Sequence, residues 1–245
     1  MKTRLTITDL TRMQAGHVCI AGYDEAGACI RPVSPPGIAE RAIKSGGQAV
    51  VFPFASVEFD LRQPTPQPPH TEDVRFDPAS IKLVGRLNEN EKRSFLTKTL
   101  FPDIAAIFEQ PITHGPGFSV ADGQGPRSVG SIQVKGFHQV FYEQGDDNAW
   151  NFRIGFYDGQ DRYYRLKITD LTWNYYCSAQ RGEASDSSQI AARLTATLKS
   201  SKPLFLRIGL SRGWAKFPGR CFLQVNGLYT FPDYLQGKTF SDFQG

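Results

Sequence analysis

The stretch of this chain best equipped for chemistry is Ser211-Arg-Gly-Trp-Ala-Lys-Phe-Pro-Gly-Arg220. Three cations, Arg212, Lys216 and Arg220, alternate there with two rings, Trp214 and Phe217. The stretch lies between two strand-like segments, LFLRIGL (204–210) and RCFLQV (220–225). Cations that track phosphates, beside rings that stack on bases at ~1–3 kcal/mol each, are what a single-stranded nucleic-acid platform requires. Gln224 and Asn226 add side chains able to hydrogen-bond base edges. Arg31, on an N-terminal hairpin, is a further candidate, either for nucleic acid or for an internal ion pair. The competing reading of the loop is structural: Trp214 and Phe217 fold back to close the core, and the cations solvate the rim.

Other chemistries have weaker signals. His17, Cys19 and Cys29 suggest a ligand set, but a four-residue hairpin loop would pair Gly22 with Cys29 and put the two thiols on opposite sheet faces. Neither CxxC nor HExxH occurs, so no metal site is expected. There is no GxSxG elbow. His114 beside Gly115, or Glu58 with Asp60, would be the site of an enzyme acting on a nucleotide, but no nucleophile or acid–base constellation assembles around them. The glycines of 115–125 lead into Pro126 and strand-like sequence, the wrong context for a phosphate cradle. No catalytic residue and no cofactor is expected.

The elements that must position the basic loop are mostly strands. Residues 16–33 form one hairpin around Asp24–Gly27, and 151–168 a second, turning at Asp158-Gly159. Residues 49–61 and 132–142 are strand regions, and Asn226-Gly227 signals a tight turn. Ile190, Leu194 and Leu198 place an apolar stripe on a helix over 185–201, with Asp186 at its start; a second helix is expected over 88–100. The Pro-rich 62–73 segment reads as extended and exposed. Two echoes run through the chain. ITDLT occurs at 7–11 and 168–172. Residues 20–33 lie without gaps on 154–167, matching Ile20/Ile154, Tyr23/Tyr157, Asp24/Asp158 and Arg31/Arg165. Together they suggest two related small β domains, with the ITDLT strand ending in a capped turn once in each. The expected division is 1–125 and 126–245, in the Gly-rich segment.

Net charge is +4, unevenly placed: residues 199–245 carry 7 Lys/Arg and 2 Asp/Glu, the rest 21 and 22. The surplus at the C-terminal end suits an anionic partner. Four cysteines in 245 residues are not a disulfide scaffold. No apolar run approaches the ~20 residues of a spanning helix, and the N-terminus lacks the apolar core of a signal peptide. A cytoplasmic protein with no membrane contact is expected.

ITDLTRMQAGHVCIAGYDEAGACIRPV at one end, and RIGLSRGW with RCFLQVNGLYTFPDYL at the other, resemble the bacterial dual OB domain-containing proteins, a family linked to mobile elements and antiphage conflict systems. The resemblance implies a mainly β chain of two small OB-like β-barrels in tandem, and nucleic-acid recognition; it transfers no functional residues. In such barrels one helix plugs an end, and the two expected helices suit that role, 88–100 for the first barrel and 185–201 for the second. The leading expectation is a non-enzymatic module that binds single-stranded or structured DNA or RNA, as in the sensor subunit of a defence system, using Arg31, Arg212, Trp214, Lys216, Phe217, Arg220, Gln224 and Asn226. The alternative is an adaptor that docks an operon-encoded ATPase or nuclease through hairpin edges or the Pro-rich loop.

Overall fold

Period-two alternation of apolar side chains makes residues Lys2–Arg12 strand β1, with Leu5, Ile7 and Leu10 fully buried. Ile7 and Leu10 are an odd number apart, yet both face inward. A bulge between Ile7 and Asp9 absorbs the extra residue. The computed structural model describes residues 2–145, 149–181 and 186–244.

Strands β2 (His17–Tyr23), β3 (Cys29–Val33), β4 (Ala55–Pro64) and β5 (Asp73–Phe76) complete the first unit. β1 pairs antiparallel with β2 and β2 with β3; β3 runs parallel to β5; β5 pairs antiparallel with β4, and β4 with β1. The ring closes in the order 1-2-3-5-4-1, a five-stranded OB-type barrel around Leu5, Ile20, Val57 and Phe59. β6 (Lys82–Arg86) flanks β4 outside the ring.

Helix α1 (Glu89–Lys98) leads to the second unit, to which helix α2 (Ile104–Phe108) and strands β7 (Phe118–Ala121) and β8 (Val129–Gln133) already belong. Its ladder is β9 (Gly136–Gln144), β10 (Trp150–Tyr157), β11 (Tyr163–Ile168), β12 (Leu204–Leu210) and β13 (Arg220–Thr230). The order β9-β10-β11-β13-β12 repeats 1-2-3-5-4, including the parallel pair β11–β13. Its last seam is different: β8, not β9, pairs with β12. Helices α3 (Leu171–Arg181) and α4 (Ser187–Lys199) connect its third and fourth strands. Ile190, Leu194 and Leu198 of α4 enter this unit's core, and the Val140 amide of β9 donates to Thr195 Oγ1 (2.9 Å). A helix thus covers the edge that β9 leaves.

The sequence expectation needs four corrections. The helix over 88–100 forms, but it does not plug the first barrel; its buried Leu96 packs with Phe54, Phe205, Tyr229 and Phe231 between the units. Leu171 and Phe240 from the C-terminal half enter the first core instead. Asn226-Gly227 is not a turn: β13 runs straight through it, and the register against β12 skips Asn226, making it a bulge. The Pro-rich segment ends in a buried stretch, His70, Glu72 and Asp73, because those side chains meet the second unit. Finally, the first hairpin loop has five residues, so Tyr23, not Gly22, pairs with Cys29. Cys29 therefore shares a face with Cys19. Burial pushes its thiol up to about 12, against the pull of Arg207, so it stays a thiol.

The ITDLT echo also changes meaning. Asp170 does end a strand and cap a helix, accepting from Trp173 N (3.1 Å) at the start of α3 and from Leu228 N (3.1 Å). Asp9 sits inside β1, which continues to Arg12. The copies are not equivalent parts of two barrels; they touch each other, with Arg12 N donating to Thr169 O (2.8 Å) and Thr11 bridging Asp170. Burial raises the Asp170 carboxyl to about 7, despite the amide bonds that favour its charged form. A carboxyl near 4 when unfolded and near 7 when folded binds more protons in the native state across that window. Its contribution to stability is complete below about pH 4 and is lost as pH rises towards 7, by up to about 1.4 kcal/mol per pH unit. Asp170→Asn keeps a good cap but does not titrate. Between pH 4 and 7 the stability of the variant relative to wild type is expected to rise, as read from denaturant midpoints across that range.

Candidate nucleic-acid interface

The gapless match of 20–33 with 154–167 is a structural equivalence. Both segments are the second and third strands of their units, β2–β3 and β10–β11. Both turn on an aspartate: Asp24 Oδ1 accepts from Ala28 N (2.8 Å), and Asp158 Oδ1 from Arg162 N (3.1 Å). Tyr23 pairs with Cys29 as Tyr157 pairs with Tyr163, and Arg31 matches Arg165. The outward faces of these strands have opposite fates.

In the first barrel that face is sealed by the second unit. Arg207 of β12, fully buried, gives Nη2 and Nε to Asp9 Oδ2 (2.7 and 2.9 Å) and Nη1 to the Tyr23 hydroxyl (2.9 Å) and Ser131 Oγ (3.2 Å). Burial opposes its charge, but Asp9 more than compensates and holds its pKa well above the usual arginine value. Thr8 Oγ1 also donates to Asp9, and the Tyr229 hydroxyl to Thr8 O (2.6 Å). Glu72 accepts from Ser128 N and Oγ (2.7 and 2.9 Å). Arg31 lies inside this contact, its Nε 2.6 Å from Asp73 Oδ1, with Glu72 near. The ion-pair reading describes its place; it does not reach the exposed surface. His70 beside it is held neutral, its pKa lowered to about 3 by burial and then by Arg31 and Arg212.

In the second unit the same face is open. Phe152, Ile154, Phe156, Leu166 and Ile168 point into the core, so Arg153, Tyr157, Tyr163, Arg165 and Lys167 point out. Phe141 of β9 pairs with Arg153, and Gln224 of β13 with Lys167, which puts both on this face. The Arg165 guanidinium stacks on Phe141, 4.0 Å from its centroid. Tyr157 and Tyr163, 40% and 38% exposed, lie 5.3 Å apart, and the exposed His138 ring meets Tyr163 edge-on at 6.0 Å. Gly155 makes the floor: a side chain there would run into Tyr163 Oη and Phe141. Glu143 anchors both guanidiniums, by Arg153 Nε (2.8 Å) and by Arg165 Nη2. The result is a slab of rings edged by cations held in place.

The basic loop 211–219 joins β12 to β13, the fourth and fifth strands of this unit. Trp214 is half exposed and packs edge-on against Phe217 (5.3 Å), which in turn reaches Phe222 (5.5 Å). Lys216 lies over both loop rings, at 5.5 and 5.6 Å. Arg212, partly exposed, pairs with Asp73 of the first barrel; Arg220 is exposed at the start of β13. Asn226 is buried, accepts from Thr169 Oγ1 (3.2 Å) and closely approaches Gly209, so its amide serves the bulge. Of the eight residues the sequence singled out, Gln224 lies on the open face, Arg212, Trp214, Lys216, Phe217 and Arg220 form the adjoining strand loop, and Arg31 and Asn226 are interior. Trp214→Ala is expected to change the unfolding free energy by less than about 0.5 kcal/mol, since a half-exposed ring closes no core; urea denaturation checks this.

The alternative catalytic residues are not brought together. His114 stacks on Phe118 in the second unit (4.4 Å), while Glu58 pairs with Lys2 (3.5 Å) on the first barrel. Phe141, Tyr157, Tyr163, Arg153, Arg165 and Lys167 were missed by sequence reasoning. The match of Arg31 with Arg165 was the signal that could have found them.

No helix of the described residues is long and apolar enough to cross a membrane. A search of curated proteins gives no match. A family model described as a dual OB-containing domain matches residues 7–228, and the two 1-2-3-5-4 strand orders are the structural counterpart of that description. The chain belongs to the dual OB-containing domain family.

Proposed function

We propose that this protein binds single-stranded nucleic acid, without catalysing a reaction, across the open β9–β11 face of its second unit, with the 211–219 loop contributing beside it. The observation that carries the reading is the contrast between two equivalent faces. One is buried against a neighbour; the other exposes rings alternating with cations. The face of strands 2 and 3 and the loop between strands 4 and 5 are where OB barrels take oligonucleotides. Bases stack on Phe141, Tyr157 and Tyr163, and phosphates are met by Arg153, Arg165 and Lys167. Exposed rings suit a single strand, because bases paired in a duplex do not offer their faces.

The test is fluorescence anisotropy with labelled oligonucleotides over a salt series. Roughly three to five phosphate contacts give a slope of log K against log salt of about −2 to −4 for a single strand. No binding at low salt, or binding indifferent to salt, defeats the proposal. A role as the recognition subunit of a defence system extends this reading; nuclease-resistant co-purification with an ATPase or nuclease is its separate test.

A further inference from the structure

A second concavity lies at the junction of the two units, away from the strand face. We propose that it binds a small aromatic anion. The cleft has a volume of about 630 Å³, within the range of sites that enclose small ligands. Both units build it. Phe52 and Phe54 come from the segment entering β4, and Tyr229 and Leu235 from β13 and the chain after it. Phe54 and Tyr229 meet edge-to-face at 4.7 Å, giving an apolar wall suited to a flat body.

Charge selects the sign of the ligand. Lys92 on the cleft wall is already neutralised, by Glu89 (2.7 Å) and Asp233 (3.3 Å). Arg86 and Lys238 also line the cleft and both are exposed; Lys238 lies over the Phe243 ring (5.8 Å) and helps hold the Asp242 carboxyl low, and no ion pair holds Arg86 among the described residues. The lining carries three cations, Arg86, Lys92 and Lys238, against two carboxylates, Glu89 and Asp233, and this surplus of positive charge beside an apolar wall favours an anionic group on an apolar body. A further observation points to a ligand. Thr172, in the first turn of α3, lines the cleft at 1% exposure, and its hydroxyl has no hydrogen-bond partner. A buried hydroxyl left unpaired is costly, and a polar atom of a bound molecule would satisfy it. The ligand is therefore flat and apolar over most of its area, with a sulfonate, carboxylate or phosphate directed to Arg86 and Lys238. Because the cleft spans both units, binding clamps them together.

The test uses 8-anilinonaphthalene-1-sulfonate as the probe, titrated into the full-length protein by fluorescence. Saturable one-site binding is expected, with a rise in thermal midpoint, since a ligand of the native state stabilises it. The double variant Arg86→Glu/Lys238→Glu changes only exposed side chains and is expected to keep the wild-type midpoint without probe. It should bind at least tenfold more weakly. Thr172→Val is expected to weaken binding several-fold. Absence of saturable binding by the wild type overturns the proposal, as does unchanged affinity in the double variant. Oligonucleotide affinity of the double variant is expected to match wild type, so this site and the strand-face reading fail independently.

Discussion

Arg207→Ala is expected to cost about 3–5 kcal/mol of stability, the largest effect of any single substitution considered. Arg207 is fully buried and donates to Asp9, Tyr23 and Ser131 at once. Removing it strands the Asp9 carboxylate in a place without water, where an unpaired charge is far more costly than the pair is stabilising. Asp9 Oδ1 has no partner even in the native arrangement, so no spare bond is available to soften the loss. Tyr23 and Ser131 lose a donor as well. Equilibrium urea denaturation reads the effect. Asp9→Leu/Arg207→Met removes both charges and keeps apolar volume, so it is expected to lose much less than the sum of the two single changes. If the double variant lost the full sum, the two groups would not be coupled and the account of this interface would be wrong. The contact also joins the two units, so Arg207→Ala is expected to make their unfolding less cooperative, visible as separate transitions by different probes.

Tyr163→Ala is expected to weaken oligonucleotide binding by about 1–3 kcal/mol, roughly five- to 150-fold in affinity, with little change in stability. The ring is 38% exposed, on the outward side of a strand whose inward residues carry the core. Arg165→Ala acts through two effects. It removes a phosphate contact, and it uncovers the Phe141 ring on which the guanidinium stacks. Its affinity loss is expected to shrink as salt rises, whereas the loss from Tyr163→Ala is not, because stacking releases no counterions. Anisotropy titrations at two salt concentrations separate the two behaviours. Tyr163→Ala binding as tightly as wild type at both would remove the strand face from the interface and leave the 211–219 loop as the site to test. The equivalent change in the first barrel, at Cys29, is expected to leave nucleic-acid binding alone, since that face is turned to the second unit.

The local elements were legible in the residues alone. Alternation in LTITDL, the aspartate turns after Tyr23 and Tyr157, and the Ile190–Leu194–Leu198 stripe each specify structure through contacts a few residues apart, and each forms. The internal match of 20–33 with 154–167 was legible too, as was the mainly β, dual OB class, although only the first unit closes its ring. The sequence could not determine which outward face is covered. Arg31 and Arg165 occupy matching positions on matching strands, although their neighbours differ (Cys29 against Tyr163, Pro32 against Leu166); the docking of β12 and Ser128 against the first barrel buries one and leaves the other in solvent. Asn226-Gly227 was ambiguous for a similar reason: a bulge and a tight turn use the same residues, and the pairing of β12 with β13 chooses between them. The ITDLT repeat is the clearest case. Its letters fix a strand and an aspartate, but tertiary packing makes one aspartate the partner of Arg207 and the other the cap of a helix, because burial assigns each carboxylate whatever donor lies within reach.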